Sequence, residues 1–219
     1  MVGIMETPDR PLASGRDCNV YALADGRVAR TYGDGRPAAA EAELIRSVHA
    51  LGYPVPRADA WDGPTIVMER IDGPTLGVQM LGDAMTLDEG AAIWAELQER
   101  LHRLPWPGDE PLIHLDFHPF NVILGPDGPV VIDWTNAGPG PAGLDVAMSA
   151  LILAGVALTG EIPEADQLLG AYAAAVTTPY VDHLPRAAEL RTGKPHTTPD
   201  EIRVMQQAVD LARSVARPA

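Results

Sequence analysis

Midway along the chain, an apolar segment that predicts buried structure carries closely spaced polar side chains. Residues 112–124 read LIHLDFHPFNVIL and include His114, Asp116, His118 and Asn121. A second apolar run, VVIDW, follows at 130–134 and contains Asp133, so each run predicts one short strand, with a turn at 125–129 between them. Buried polar groups cost stability unless they are paired. We therefore expect this region to hold the functional residues.

Phosphoryl transfer is a chemistry that fits the oxygen groups of Asp116, Asn121 and Asp133. Carboxylate and amide oxygens are hard ligands of the kind that bind Mg²⁺, which commonly also binds substrate phosphates. A further carboxylate can accept the proton of an attacking hydroxyl. A metal, a base and accurate positioning are what phosphoryl transfer requires.

The first 72 residues predict a small sheet with one helix. Residues 12–32 read as three short strands with a hairpin turn at Asp25-Gly26. A helix over 37–51 follows, and then a strand over 65–71. The break at Asp72-Gly73-Pro74 predicts a boundary. We expect a nucleotide-binding lobe over 1–72 and a catalytic, substrate-binding lobe over 73–219.

The rest of the chain predicts mainly helices. A helix over 86–104 begins with Thr86 as its N-cap, and Glu89 completes a capping box. Further helices are expected over 143–158, 164–176 and 199–216, with a loop over 177–198. The apolar run in the first of these is about 13 residues long, which is short for a membrane span. The fold class is therefore α+β.

Composition excludes several classes of function. The chain has 16 Lys plus Arg against 30 Asp plus Glu, a net charge of −14. Nucleic-acid binders need a cationic face, so none is expected as a partner. The single cysteine excludes a cysteine-based zinc cluster. The start, MVGIMETPDR, lacks an apolar signal region, so we expect a cytoplasmic protein with no membrane partner.

Lysine is almost absent from this chain. Fifteen of the 16 basic residues are arginine, and the one lysine is Lys194. Any chemistry that needs a lysine earlier in the chain is excluded, including a phosphate-binding lysine. An arginine would have to bind the phosphate in place of a lysine.

Three motifs resemble the aminoglycoside phosphotransferase and choline kinase family of small-molecule kinases. Residues 114–121, HLDFHPFN, match the kinase pattern H-x-D-x-x-x-x-N, and that family's loop typically reads HGDLHPGN. Ile132-Asp133-Trp134 is similar to its later I-D-[FW] motif. Residues 140–147 are similar to its G-x-x-x-x-D-x-A element, in which Asp145 would brace the catalytic loop.

The N-terminal third resembles the same family more loosely. Residues 14–20, which include Gly15, are similar to the loop that covers the nucleotide. Arg30 stands where the family has a lysine, and Glu41 stands where its glutamate pairs with that lysine, with Glu43 as the fallback. Residues 67–73, which include Glu69 and Ile71, resemble the hinge that binds the purine.

The resemblance implies a two-lobed protein-kinase-like fold that transfers the γ-phosphate of ATP or GTP. Asp116 would be the base and His114 would orient its loop. Asn121 and Asp133 would bind Mg²⁺. The nucleotide would be held by Gly15, Arg30, Glu41, Glu69 and Ile71.

The acceptor implied by the resemblance is a hydroxyl of a small molecule. An antibiotic of aminoglycoside, nucleoside or peptide type, or a sugar-like metabolite, fits it. Phosphorylating an antibiotic would give resistance or self-protection. We expect a chain this short to leave the acceptor site open. A second copy of the chain, in a homodimer, would complete it.

Two alternatives remain at this point. A pseudokinase-like nucleotide-binding module would explain the arginine at position 30 and the glycine-poor loop. A metal-dependent hydrolase would use His114, Asp116 and His118, which alternate and would share one face of a strand.

Overall fold

A computed structural model of the chain describes residues 10–15, 17–193 and 198–216. Lys194 lies outside the described residues. The chain divides into two compact units. The first takes the residues up to Gly73 together with Ile123–Thr135, and the second takes Pro74–Val122 together with the chain from Asn136 onward. The functional division into lobes 1–72 and 73–219 stays a prediction.

An antiparallel sheet forms most of the first unit. Its strands are β1 (Ala13–Ser14), β2 (Cys18–Ala22), β3 (Arg27–Tyr32), β4 (Ala58–Asp62) and β5 (Thr65–Glu69). Their order is β1-β2-β3-β5-β4, so β3 lies at the centre. Arg30 pairs with Val20 on one side and Ile66 on the other. The sequence did not predict β4, whose residues ADAWD lack a sustained apolar alternation.

The predicted first helix is confirmed as α1 (Ala39–Ala50). Its buried face is made by Ala42, Ile45 and Val48, at the spacing of one helical stripe. Glu41 is also buried on this helix. Helix α1 therefore carries a carboxylate into the apolar interior of the first unit.

A hairpin of β7 (Val122–Gly125) and β8 (Gly128–Val131) is added to the first unit by its later segment. The Val131 amide donates to the carbonyl of Pro54 over 2.8 Å. Gly73 lies so close to this hairpin that a Cβ there would come within 2.1 Å of the Leu124 carbonyl oxygen. Only glycine allows the chain to pass the hairpin at the predicted boundary.

Helices build the second unit. They are α2 (Leu76–Leu81), α3 (Leu87–His102), α4 (Ala142–Thr159), α5 (Ala165–Ala175), α6 (Leu184–Thr192) and α7 (Pro199–Ser214). Two short strands, β6 (Leu112–Ile113) and β9 (Gly138–Pro139), pair next to them. The predicted capping box of α3 is confirmed, because Thr86 and Glu89 each accept from the other's backbone amide.

Two sequence predictions of secondary structure were wrong. The loop expected over 177–198 contains a 3₁₀ turn (Val181–His183) and helix α6. The loop was expected because the segment is rich in Pro and Thr. However, Pro185 lies in the first turn of α6, where the missing N–H of proline removes no hydrogen bond from the helix. The single strand expected over 112–124 is instead β6, a loop, a 3₁₀ turn (Pro119–Asn121) and β7.

Helix α4 is the core of the second unit. It has 18 residues with a mean hydropathy of 1.8, so length and composition alone would let it cross a membrane. However, 61% of it is buried inside the protein, as in the core helix of a globular domain. Its apolar character is explained by packing, and the expectation of no membrane partner stays a prediction.

Candidate active site

Arg30 is the centre of a charged cluster in the first unit. Strand β3 carries it into the interior, where 7% of the residue is exposed. Its Nη1 lies 2.5 Å from Glu41 Oε2, and its Nη2 lies 2.7 Å from Asp133 Oδ1. Nη2 also donates to the Thr135 hydroxyl over 2.7 Å. The pairing of Arg30 with Glu41, implied by the resemblance, is present, whereas Glu43 is exposed.

The cluster keeps Arg30 charged. Burial opposes the charge of the guanidinium, but the carboxylates of Asp133 and Glu41 outweigh it and raise the pKa of Arg30 above its usual value. The Tyr32 hydroxyl donates to the same Glu41 oxygen that binds Arg30. Burial, together with Glu41, raises the pKa of Tyr32, so this phenol remains a donor.

Asp133 is held in a strained backbone conformation. Its φ is +64°, in the left-handed region that side chains with a Cβ disfavour. Its Oδ1 accepts from both Arg30 and Thr135, and 37% of its side chain is exposed. Such strain costs on the order of 1–3 kcal/mol and concentrates at functional sites. The surrounding hydrogen bonds thus hold one oxygen of a metal-ligand candidate in place.

In the second unit, Asp145 fixes the start of the predicted catalytic loop, residues 114–121. Its Oδ1 accepts from the backbone amides of His114 and Leu115, over 3.1 and 2.6 Å. Leu115 has a φ of +60° and stands where the family's typical loop has glycine. The bracing by Asp145 expected from the resemblance is confirmed, and it stabilises an unfavourable backbone turn.

The second carboxylate oxygen of Asp145 pairs with His102, at the end of α3. Its Nε2 lies 2.9 Å from Asp145 Oδ2, and the Asp145 side chain is fully buried. Burial raises the pKa of Asp145, but the hydrogen bond and charge of His102 outweigh it, so that pKa lies below its usual value. The loop is therefore anchored on an ionised carboxylate.

Within the loop, Asn121 closes a short turn around Asp116. Its Nδ2 donates to the Asp116 carbonyl over 2.9 Å and lies 3.2 Å from His118 Nε2. Because both contacts use the amide nitrogen, the oxygen of Asn121 is the atom suited to bind a cation. No hydrogen bond or ion pair engages the Asp116 carboxylate in the part of the chain that the structure describes.

A series of hydrogen bonds between buried side chains also holds this loop. The Ser149 hydroxyl donates to the Phe117 carbonyl over 2.7 Å and accepts from Gln98 Nε2 over 3.0 Å. Tyr172 donates to the other end of Gln98. The His114 ring is fully buried and lies edge-on to Phe117, with ring centroids 5.2 Å apart. Its orienting role stays a prediction.

The remaining predicted nucleotide residues lie in the first unit. Gly15 is exposed in the turn between β1 and β2, and its amide donates to the Cys18 carbonyl over 2.9 Å. Glu69 ends β5 and accepts from the Arg57 amide over 3.2 Å. Ile71 packs against Gly125 of the hairpin. Their binding roles stay predictions.

The sequence missed several residues that shape these two clusters. They are Tyr32, His102, Thr135 and Ser149. Thr135 stands two residues after Asp133, so the sequence alone could have suggested that its hydroxyl orients the Asp133 carboxylate. Tyr32, His102 and Ser149 bond to residues 9 or more positions away in sequence, and local sequence patterns do not predict such contacts.

The residues present suit Mg²⁺ better than a transition metal. His114 packs against Phe117, and His118 contacts Asn121. No group of three His, Cys, Asp or Glu side chains in the described residues could hold a metal ion. The oxygens of Asn121 and Asp133 have the chemistry that fits Mg²⁺.

A comparison with models of protein families gives a match over half of the chain. The model of the phosphotransferase enzyme family, APH, matches residues 81–190, which is half of the chain and includes the catalytic loop, Asp133 and Asp145. A search of the curated proteins finds no match.

Solved structures share the fold across nearly the whole chain. The gentamicin complex of APH(2")-IIa has a TM-score of 0.61 at 13% identity, covering 97% of this chain and 92% of that one. ADP-bound APH(2'')-Ib has a TM-score of 0.57 at 13% identity, covering 99% of this chain and 96% of that one. A ternary complex of a thermostable mutant of APH(4)-Ia with AMP-PNP and hygromycin B has a TM-score of 0.61 at 13% identity, covering 95% of this chain and 93% of that one. With this protein-kinase-like α+β fold and that family match, the chain belongs to the phosphotransferase enzyme family and is a small-molecule phosphotransferase.

Proposed function

We propose that the protein transfers the γ-phosphate of ATP or GTP to a hydroxyl group of a small molecule. The observation that carries this is Asp116, a carboxylate with no partner among the described residues, on a loop braced from several sides. A base must be able to accept a proton and must be held where the hydroxyl arrives. Both conditions are properties of this loop.

The proposed reaction is one displacement at phosphorus. The acceptor oxygen forms a bond to the γ-phosphorus, and the bond between that phosphorus and the bridging β,γ-oxygen breaks. The acceptor proton passes to the Asp116 carboxylate, and the nucleoside diphosphate leaves with the electron pair of the broken bond. Positioning and charge neutralisation supply most of the catalysis in such transfers.

Arg30 is proposed to grip the α- and β-phosphates in place of the usual lysine. A guanidinium has five N–H donors in a planar fork. Three are used on Glu41, Asp133 and Thr135, which fixes the orientation of the group. Its further donors and its permanent charge suit phosphate oxygens, so the missing lysine does not by itself make this a pseudokinase.

Mg²⁺ is proposed to bind the oxygens of Asn121 and Asp133. A bound Mg²⁺ would neutralise charge on the phosphates. Arg30 and Thr135 hold the Asp133 carboxylate from one side. Gly15, Glu69 and Ile71 are proposed to contact the nucleotide, chiefly through main chain at the hinge residues.

The acceptor is proposed to be an antibiotic or a sugar-like metabolite. The gentamicin and hygromycin B complexes belong to other proteins of this fold, at 13% identity. An antibiotic acceptor would make the role resistance or self-protection. Cytoplasmic location, a homodimer and the absence of a nucleic-acid partner are proposed with it.

Steady-state turnover tests this function. The protein with Mg²⁺ and ATP or GTP is assayed for nucleoside diphosphate release across a panel of hydroxyl compounds. We expect Asp116→Asn to lower kcat by about 10²–10⁴-fold while nucleotide binding survives, and Asp133→Ala to lower both. The matched control is Asp127→Asn, an exposed carboxylate on the turn of the β7–β8 hairpin. Nucleotide binding with no turnover on any acceptor would favour the pseudokinase-like module instead.

A further inference from the structure

An apolar cavity lies beside the catalytic loop in the second unit. Its volume is about 140 Å³. We call it the Phe120 pocket and define it by residues from α2, the loop, α4 and α5: Gly77, Leu81, Phe120, Ile152, Val156 and Leu168. The loop itself, at 118–120, forms one wall.

The pocket is close to the proposed base. Phe120 follows Asp116 by four residues, a span of at most about 14 Å even in an extended chain. The hydrogen bond from Asn121 to the Asp116 carbonyl folds that stretch into a turn, which brings the two closer. The pocket wall at Phe120 therefore lies within about 14 Å of the Asp116 backbone, a distance that one acceptor molecule can span.

The lining has the wrong chemistry for a polycation. The chain has a net charge of −14, yet none of the described residues that line the pocket is Asp, Glu, Lys or Arg. An ammonium group taken from water into such a site would have no carboxylate to pair with. An uncharged apolar group loses nothing there and gains by leaving water.

Phe120 and Gly77 shape the pocket together. Phe120 stands where the family's typical loop HGDLHPGN has glycine, so its ring is a departure of this chain. Its ring covers Gly77 so closely that a Cβ at that position would lie 2.9 Å from it. Phe120 is nevertheless 37% exposed and Leu81 is 41% exposed, which leaves apolar surface at the rim.

We propose that the Phe120 pocket binds an apolar group of about the size of benzene on the acceptor. A dry, apolar cavity of roughly 150 Å³ holds benzene in another protein. The acceptor class is then a hydroxylated small molecule with one aromatic or branched alkyl group near the reacting hydroxyl. This inference rests on the proposed function for its chemistry, but the pocket can be tested without turnover.

The binding test uses benzyl alcohol as the probe, observed by saturation-transfer NMR on the full chain, with ethanol as its polar counterpart. Wild type is expected to bind benzyl alcohol and not ethanol. Leu81→Asp puts a charge at the rim and is expected to weaken binding about tenfold or more. The matched control is Val78→Asp on the same helix, because Val78 is 52% exposed and does not line the pocket. Equal binding to both variants, or none to wild type, would overturn the proposal.

A second variant changes size rather than charge. Phe120→Ala enlarges the pocket and is expected to shift the preference from benzyl alcohol to 2-naphthylmethanol. An unchanged preference would contradict the assigned wall. If sedimentation shows a dimer that Leu81→Asp dissociates, a second copy of the chain covers the pocket and the proposal is wrong.

Turnover separates the two proposals. Methyl and benzyl glycosides form matched acceptor pairs that differ only in the apolar group, and a benzyl preference in kcat/KM supports the pocket. Turnover that prefers methyl or polycationic acceptors overturns the pocket and leaves the phosphotransferase function standing. Binding of benzyl alcohol with no turnover of any acceptor supports the pocket and counts against the proposed function.

Discussion

At residue 30, one guanidinium binds two carboxylates that come from distant parts of the chain. Glu41 is 11 residues away in sequence, and Asp133 is 103 residues away. A lysine presents a single ammonium, whereas the planar fork of arginine can hold each partner through a different nitrogen. Arginine at position 30 therefore holds both carboxylates in a more rigid geometry than a lysine could.

Arg30→Ala is expected to lower both stability and nucleotide affinity. The change leaves the buried Glu41 carboxylate uncompensated, which costs about 3–5 kcal/mol in comparable sites. Urea unfolding measures the first effect, and titration with nucleotide and Mg²⁺ measures the second. Arg57→Ala is the control, since Arg57 forms an exposed ion pair with Asp59 on the same sheet and should change little. Unchanged nucleotide affinity and turnover in Arg30→Ala would show that the alignment of the N-terminal third is wrong.

The stabilising effect of Asp145 on the fold depends on pH. Because its folded-state pKa is lowered, it stabilises the fold fully above its unfolded-state pKa of about 3.9. That stabilisation is lost as the pH falls through the folded-state pKa. We expect Asp145→Asn to be less stable than wild type at pH 7 and the difference to shrink below about pH 4. Urea unfolding at a series of pH values checks this, and a pH-independent difference would contradict it.

At the scale of elements, helix α3 shows how far local sequence reaches. Thr86 and Glu89 are three residues apart, and their reciprocal hydrogen bonds are visible in the sequence as a capping box. The helix then carries Gln98 and His102 toward the catalytic loop. Its start was predictable, and the partners at its other end were not.

Thr86→Ala is expected to destabilise the protein by about 1 kcal/mol, because it removes the acceptor for the Glu89 amide. Urea unfolding gives the value. Ser47→Ala is the matched control, since Ser47 is exposed inside α1 and its hydroxyl donates to the Glu43 carbonyl of the same helix. Alanine is the better helix former there, so that variant should be neutral or slightly stabilised. Equal losses in the two variants would rule out the cap as the cause.

At the scale of the whole molecule, the two compact units are not two continuous segments. The β7–β8 hairpin follows the catalytic loop in sequence but belongs to the first unit. Asn121 and Asp133 lie on either side of this hairpin in the chain.

Nucleotide with Mg²⁺ is expected to raise the melting temperature. At a ligand concentration of 100 Kd the stabilisation is about 2.7 kcal/mol, which for a chain of this length is roughly 5–10 °C. Thermal shift with ATP and with GTP measures it and ranks the two donors. The shift should be lost in Asp133→Ala and kept in Thr86→Ala. No shift with either nucleotide at millimolar concentration would count against the proposed donor.

Sequence by itself determined the fold class, the family resemblance and most of the helices and strands. These depend on periodicity, caps and motif spacing, which are interactions within a few residues. Only the tertiary structure placed Thr135 and Tyr32 around Arg30 and Glu41, and His102 behind Asp145. It alone revealed the pocket, because Phe120 meets Gly77 across 43 residues of sequence. Such contacts exist only after helices have packed, since packing, and not local preference, decides which side chains meet.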